Sequence, residues 1–479
     1  MKILGLSDEA ALAVGNAAAF AGDLVHPALR LGVTGLTRAG KTVFITSLIH
    51  NFVNGGRLPL FRPFADGRII RAYLQPQPDD AVPRFDYERN IAAITGEDPR
   101  WPPGTSRLSQ LRLTLEYEPV GFLARNFGRG ELNIDIIDYP GEWLLDLPLL
   151  TKSYETWSRE TLALAREPAR AGVARPWLDQ LATLDANAPV DEQAAIVSAR
   201  LFTGYLQECR EDNLSLSTLP PGRFLMPGDL EGSPALTFAP LDMESGQTAP
   251  SGSLWQMMRR RYEAYKTVVV KPFFTGHFAR LDRQIVLVDL LSALNTGAVL
   301  DLERALGDIL MCFRTGSSSL LSRIFARKID RILFAATKAD HLHHTSHGQM
   351  EALLERLVVS AAEHAEFSGA EVGVTALAAI RATRETERRT ARDTFNCVTG
   401  IPLAGERVDG RTFTGTEQVA VFPGDLPDNP GRLLEVRKSG MRTDLGFVRF
   451  RPPVLDDGGP LPHLRLDRAL EFLMSDKLA

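Results

Sequence analysis

Eight residues, Gly35-Leu36-Thr37-Arg38-Ala39-Gly40-Lys41-Thr42, set two glycines, a lysine and a threonine in the spacing GxxxxGK[ST]. The glycines let the backbone curl so that successive N–H groups face one point, where a phosphate can sit. A helix that follows aims its positive end at the same point. Lys41 adds a point charge for the β- and γ-phosphates of a nucleotide, and the Thr42 hydroxyl can ligate Mg2+. Residues 35–42, continued by Val43 in the apolar run behind them, are the expected phosphate cradle.

Three other stretches carry matching chemistry. NIDIIDYPGEW ends an apolar run at Asp138, and Gly141 follows. A carboxylate there can hold Mg2+ through water, and the Gly141 N–H can sense a γ-phosphate. Alone, DxxG is commonplace; behind a P-loop and a hairpin it is specific. RILFAATKAD runs a strand into Thr337-Lys338-Ala339-Asp340. In an [NT]KxD pattern the aspartate accepts from the N1–H and 2-amino group of guanine while the lysine stem packs on the base. Adenine lacks that donor pair, so guanine is the expected base; a solvated helix start is the competing reading. EVGVTALAAI ends a short strand at Thr375-Ala376-Leu377, where the Ala376 N–H could meet the guanine O6.

Transfer of a phosphoryl group to water needs Mg2+, an oriented water and charge neutralisation. Thr105 in WPPGTSRL is the candidate to cap Mg2+ and γ-phosphate, with Ser106 beside it; both also suit a turn. Glu142 follows DxxG, where a water-orienting residue is often found. A carboxylate there can take a proton from water but repels the γ-phosphate, and it also suits the start of a helix. The catalytic candidates are therefore Lys41, Thr105 and Glu142, and the metal candidates Thr42, Thr105 and Asp138. Asp289 is a competing carboxylate at a strand end. Trp143 could cover the site or simply pack. Arg38 could act as a finger in cis, reach across a nucleotide-dependent homodimer, or face solvent. DHLHHTSH crowds His341, His343, His344 and His347 together; a metal site is one reading, an exposed helix-start loop the plainer one.

Placing these groups requires strands that end where the motifs begin. Period-two and apolar runs give strands at Leu29–Thr34, Leu108–Tyr117, from Glu131, Arg283–Asp289, Arg331–Ala336 and Glu371–Val374. Helical spacing covers Thr42–Phe52, Phe85–Ile94, Glu142 to about Glu211 with a break near Asn187–Pro189, Leu254–Tyr265, about Leu300–Phe313 and Gln349–Glu363. Phe61–Gly104 is otherwise rich in Pro, Asp and Arg, and Asn213–Ser253 reads as loops. Ser7 can cap a helix over Asp8–Val25, packed on the first strand. Alternation of strands and helices predicts an α/β fold with a mostly parallel sheet, which binds ligands at the carboxyl ends of its strands. The divisions are 1–141 (terminal helix, P-loop, DxxG), 142–282 (mainly helical insertion), 283–398 (remainder of the core with TKxD) and 399–479 (β-rich segment and closing amphipathic helix). That last helix could pack on the core or dock elsewhere.

Composition sets limits. The chain has 479 residues, 44% hydrophobic and 24% charged, with a formal net charge of −5. Overall charge therefore offers no basis for nucleic-acid binding. Cys209, Cys312 and Cys397 are far apart and read as reduced thiols. No signal peptide or transmembrane segment is expected.

GLTRAGKT, WPPGTSRLSQLRL, DYPGEWLLDLPLL, IVLVDLLSALNTG, TKADH and HLRLDRALEFLMSDKL together resemble the YcjX-like P-loop NTPases of bacteria over nearly the whole chain. The resemblance implies a Ras-like GTPase core with extra helical and β elements, binding GTP and GDP with Mg2+. It also implies a cytoplasmic protein, peripheral to the inner membrane if it acts with the small inner-membrane protein often encoded beside it, and linked to envelope stress. Two other readings are a nucleotide-gated binding protein with incidental hydrolysis, and an ATP-using phosphotransferase.

Overall fold

Seven strands build one sheet: β1 (Ala28–Gly35), β2 (Ile69–Gln75), β3 (Ser109–Tyr117), β4 (Gly130–Asp138), β5 (Arg283–Val288), β6 (Arg331–Ala336) and β7 (Glu371–Ala376). Their spatial order is β2-β3-β4-β1-β5-β6-β7. Strands β4, β1, β5, β6 and β7 run parallel, while β3 is antiparallel to β4 and to β2. This is the α/β class expected. The computed structural model describes residues 28–35, 38–105, 107–120, 129–211, 213–242, 249–311, 329–367, 370–389, 393–408, 410–426, 428–429, 445–455 and 459–479. The expected N-terminal helix, Leu36, Thr37, Ser106 and Cys312 lie outside them.

The chain visits one side of β1 through β2–β4 and then crosses to the other through β5–β7. A ligand crevice forms where the order of a parallel sheet reverses in this way, outside the carboxyl ends of the strands. Each of the five parallel strands ends at a motif: β1 at Gly35, β4 at Asp138, β5 before Asp289, β6 before Thr337 and β7 at Ala376.

Side-chain alternation divides the core between the sheet's faces. Ile285, Leu287, Leu333 and Ala335 meet helix α1 (Lys41–Val53) and the closing helix on one face. Val286, Val288, Ile332, Phe334 and Ala336 face the other. There they meet α7 (Leu290–Thr296), α8 (Val299–Met311) and α9 (His347–Phe367), and the same apolar core runs on into the helical insertion.

That insertion begins with a 3-10 segment, Gly141–Thr151, and continues through α3 (Tyr154–Ala165), α4 (Pro168–Leu181), α5 (Glu192–Arg210) and α6 (Leu254–Tyr265). Preceding it, α2 (Tyr87–Thr95) packs beside α1. Aromatic pairs hold the insertion: Trp157 stacks on Tyr262 at 5.0 Å and Trp177 on Tyr205 at 5.2 Å between ring centroids. Trp143 packs as well, edge-on to Phe273 with its indole N–H donated to the Met226 carbonyl. Buried Arg170 donates to Tyr205, to the Thr218 carbonyl and to Asp301 of α8, tying α4 and α5 to the sheet-bound helices.

The closing helix α10 (Leu466–Met474) packs on the core through Leu466, Leu470, Leu473 and Met474. Buried Arg283, at the start of β5, donates to the Leu473 carbonyl at 3.1 Å and to Asp476 at 2.8 Å. A separate three-stranded sheet, β8 (Arg384–Arg389), β9 (Thr394–Gly400) and β10 (Val419–Val421), follows β7. Strand β2 was not expected. It is an edge strand with no alternating buried face, so its sequence lacks the period-two signal.

Candidate nucleotide-binding and catalytic site

The P-loop turn is set by its glycines. A Cβ on Gly35 would lie 2.5 Å from the Leu287 carbonyl of the neighbouring strand. Gly40 has φ 83, and α1 starts at the next residue, so its first N–H groups open toward the turn. Lys41 is nearly buried and donates from Nζ to the Gly35 carbonyl at 3.0 Å. Its charge is thus held over the loop.

Thr42, Thr105 and Asp138, distant in sequence, form one chain of contacts. The Thr42 and Thr105 hydroxyl oxygens are 3.2 Å apart, and the Thr105 hydroxyl donates to Asp138 Oδ2 at 2.7 Å. Burial pushes the Asp138 carboxyl up to about 7, against the opposing pull of Lys41 and the Thr105 hydrogen bond. Asp138 Oδ1 is buried with no hydrogen-bond partner among the described residues. Two hydroxyls and a carboxylate with an unsatisfied oxygen are hard donors, and they fit Mg2+. Asp289, the competing carboxylate, is engaged elsewhere: it accepts from the Ser292 N–H and pairs with Lys338.

Gly141 touches the P-loop. A Cβ there would fall 1.6 Å from the Gly35 carbonyl oxygen and 3.0 Å from Lys41 Nζ. Only glycine lets the DxxG segment approach this closely. Its neighbour Glu142 is buried, and Arg210 Nη2, at the end of α5, lies 2.9 Å from Glu142 Oε1. Arg38, half-exposed, has φ 62 and lies 3.7 Å from Glu211.

Asp146 joins this segment to the rest of the insertion. It accepts from the Gly222 N–H at 2.7 Å and from the Tyr265 hydroxyl at 2.7 Å, and burial pushes its carboxyl up to about 7. A raised folded-state value gives stability that is present below the unfolded value of 3.8 and has been lost once pH rises through about 7. The wild-type melting temperature should therefore rise on acidification from pH 8 to pH 5.5. Asp146→Asn, which keeps an acceptor for Gly222, should flatten that slope. Parallel pH–melting curves for the two proteins would contradict the assignment.

The far end of the site is built by the loops after β6 and β7. Lys338 has φ 60 and its ammonium pairs with Asp289, which leaves its stem along the cavity wall. Asp340 is buried, and its Oδ2 accepts from the Ala382 N–H at 2.7 Å. The Ala376 N–H donates to Glu351 Oε1 at 2.9 Å, and the Thr375 hydroxyl also reaches Glu351. Thr375 and Ala376 are not among the lining residues of the cavity, whereas Leu377, Ala378 and Ala379 are.

A single cavity of about 420 Å³ runs from the P-loop to this end. Arg38, Ala39, Gly40, Lys41, Thr42 and Val43 line one part, Thr105 and Glu142 another, and Thr337, Lys338 and Asp340 a third. That volume lies within the range for a bound small molecule. The arrangement can hold a phosphate chain and a cation at one end and offer a fixed carboxylate at the other.

Sequence reasoning missed several lining residues. Arg210 and Met226 come from the insertion, and Leu403, Arg449 and Phe450 from the C-terminal β-rich segment. Trp101 donates its indole N–H to the Phe450 carbonyl at 2.7 Å. Only Trp101 had a local signal, its place in WPPGTSRL; the others carry no motif.

The histidine run is largely buried, unlike the expected exposed loop. His341 lines the cavity edge-on to Phe450, its imidazole pushed down by burial. His347 is bonded to the Ala339 carbonyl at 2.8 Å. His343 and His344 come together with Glu385, within reach of one cation. No helix among the described residues is long and apolar enough to cross a membrane.

Known proteins are similar to this chain over nearly its whole length. The profile of the YcjX-like family, DUF463, matches residues 29–478. The chain is 39% identical over 467 residues to "Ras-like GTPase YcjX" of Escherichia coli (strain K12), covering 94% of this chain and 96% of that protein. It is 35% identical over 481 residues to "Ras-like GTPase YcjX" of Shewanella oneidensis, covering 94% of each.

Proposed function

This chain belongs to the YcjX-like family, and we propose that it binds guanine nucleotides and hydrolyses GTP with Mg2+. What carries this reading is the Thr105 hydroxyl, bonded at once to Thr42 of the P-loop and to Asp138 of DxxG. Three segments remote in sequence meet there at the place where a β,γ-phosphate would end.

In this account the N–H groups of residues 35–43 cradle the phosphates, and Lys41 exchanges the Gly35 carbonyl for phosphate oxygens. Thr42, Thr105 and Asp138 would hold Mg2+, which draws charge off the β- and γ-oxygens when bound. The Gly141 N–H senses the γ-phosphate, and Glu142 orients the attacking water. Its proximity to Arg210 offsets the repulsion a lone carboxylate would exert on phosphate. At the other end Asp340, fixed by the Ala382 N–H, accepts from the guanine edge, and the Lys338 stem packs on the base. The N–H groups of Ala376, Leu377 and Ala378 are taken by Glu351 and by the Ala336 and Leu464 carbonyls, so the loop of residues 377–379 would meet the base through the Ala379 N–H.

The test is multiple-turnover hydrolysis of GTP with and without chelator, beside Thr105→Ala. Removing one preorganised group from such a centre costs roughly 100-fold in turnover. GDP affinity measured without Mg2+ should stay within about threefold, since Thr105 acts through the cation and γ-phosphate. Turnover unchanged in Thr105→Ala or in chelator would contradict the proposal and favour a nucleotide-gated binder with incidental hydrolysis.

A further inference from the structure

We propose that Arg210, delivered by the helical insertion of the same chain, is the arginine that neutralises the γ-phosphoryl group during hydrolysis. This rests on the GTP-hydrolysing reading above and adds a catalytic residue to it.

Arg210 is the last residue of the 19-residue helix α5. That helix is rooted in the insertion core by Phe202, Tyr205, Leu206 and Cys209, all buried. Its end is therefore a fixed arm, and its guanidinium lines the same cavity as Lys41, Thr42 and Thr105. Nη2 lies 2.9 Å from Glu142 Oε1. Nε is buried and has no hydrogen-bond partner among the described residues. A buried guanidinium N–H is ordinarily paired, so this one is free to take an acceptor that enters the cavity. An arginine offers a planar fork of donors suited to phosphate oxygens. One arm of this fork rests on the carboxylate that follows Gly141, and Nε waits without an acceptor.

The other cavity arginines are less well placed. Arg38 is half-exposed with Glu211 3.7 Å away, and Arg449 is bonded to Glu406 at 2.7 Å. Arg210 touches the residue beside the γ-phosphate sensor.

The step balances without redox or covalent chemistry on the protein. The water oxygen bonds to the γ-phosphorus, and the bond from that phosphorus to the β–γ bridging oxygen breaks. That oxygen leaves with the electron pair on GDP, and the water proton passes through Glu142 to phosphate or solvent. Arg210 stays protonated throughout. When it turns from Glu142 to the γ-oxygens, the Glu142 carboxylate is released to accept the proton, so one movement supplies both groups.

The test compares wild type with Arg210→Ala and Arg210→Lys. Single-turnover hydrolysis is read together with affinity for a non-hydrolysable GTP analogue, for GDP, and for GDP with aluminium fluoride and Mg2+. Removing an arginine finger costs roughly 1,000-fold or more in rate. Both variants should show that loss and should no longer bind GDP with aluminium fluoride more tightly than GDP alone. Their affinity for the GTP analogue should change less than about threefold, as uniform binding is not what a finger supplies. Arg210→Lys keeps charge and bulk, so it covers the case in which alanine disturbs folding. Retained aluminium-fluoride tightening with wild-type hydrolysis in either variant overturns the proposal. Equal loss of GDP and analogue binding in Arg210→Lys overturns it too, by showing a structural role. Failure of the wild type to bind the GTP analogue at all would instead remove the GTPase reading.

Discussion

Lys41→Ala should weaken GTP and GDP binding by about a hundredfold or more while leaving the protein folded. The Lys41 ammonium is held at the Gly35 carbonyl, within the turn that the cradle uses. Contacts of an ammonium to phosphate are charge-assisted, and losing two of them removes about 3 kcal/mol or more, a hundredfold in affinity. The fold should tolerate the change, because Lys41 stands at the first turn of α1 and the residues that anchor that helix are Phe44, Ile45, Leu48, Ile49 and Phe52. Nucleotide titration with a parallel melting curve reads both quantities. Unchanged affinity in a folded variant would mean that the turn is not a phosphate cradle.

Gly141→Ala should uncouple the γ-phosphate from the rest of the molecule. Its Cβ would fall 1.6 Å from the Gly35 carbonyl oxygen, a backbone atom at the end of the central strand. Neither segment can yield by a rotamer change, so the DxxG turn must move off the P-loop. Its N–H then misses the γ-phosphate, and Glu142 and Asp138 move with it. Hydrolysis should fall at least about 100-fold, as for loss of an aimed donor. The variant should also lose its preference for a GTP analogue over GDP, while GDP itself, which lacks the γ-phosphate, should still bind. A variant that keeps both turnover and the GTP/GDP preference would show that the contact between the two loops plays no part in sensing.

What could be read from sequence was whatever the backbone dictates locally. The spacing from Gly35 to Thr42 is that of a strand passing into a helix through a glycine turn, so it is legible in any context. Asp138 ends one apolar strand and Thr337 directly follows another, and the rule that parallel sheets bind ligands at their carboxyl ends does the rest. Arg210 has no such signature. It ends an amphipathic helix, where an arginine is ordinarily solvated, and only the packing of Phe202 and Tyr205 turns it into the site. Glu351 was likewise hidden: nothing near it in sequence announces that it will cap the Ala376 N–H from α9. The histidines after Asp340 looked exposed because their own segment is polar. Phe450, more than a hundred residues on, buries His341 from outside that segment. Strand β2 escaped because an edge strand with both faces half open lacks the alternation by which strands are recognised.

The insertion and the nucleotide site share more than proximity. In the segment that opens the insertion, Asp146 holds Gly222 and Tyr265, and Glu142 meets Arg210. The segment that follows Gly141 is thus tied to α5 and α6 by buried contacts.

The measurement that bears most directly on the account is titration of the purified protein, with Mg2+, against GDP, a GTP analogue and ATP, beside Asp340→Asn. Asp340 is buried and held by the Ala382 N–H, so its carboxylate is fixed before any base arrives. The account predicts a guanine preference of about tenfold or more, the worth of one such charged hydrogen-bond pair, and its loss in the variant. Equal or tighter binding of ATP by the wild type, or an undiminished guanine preference in Asp340→Asn, would contradict it.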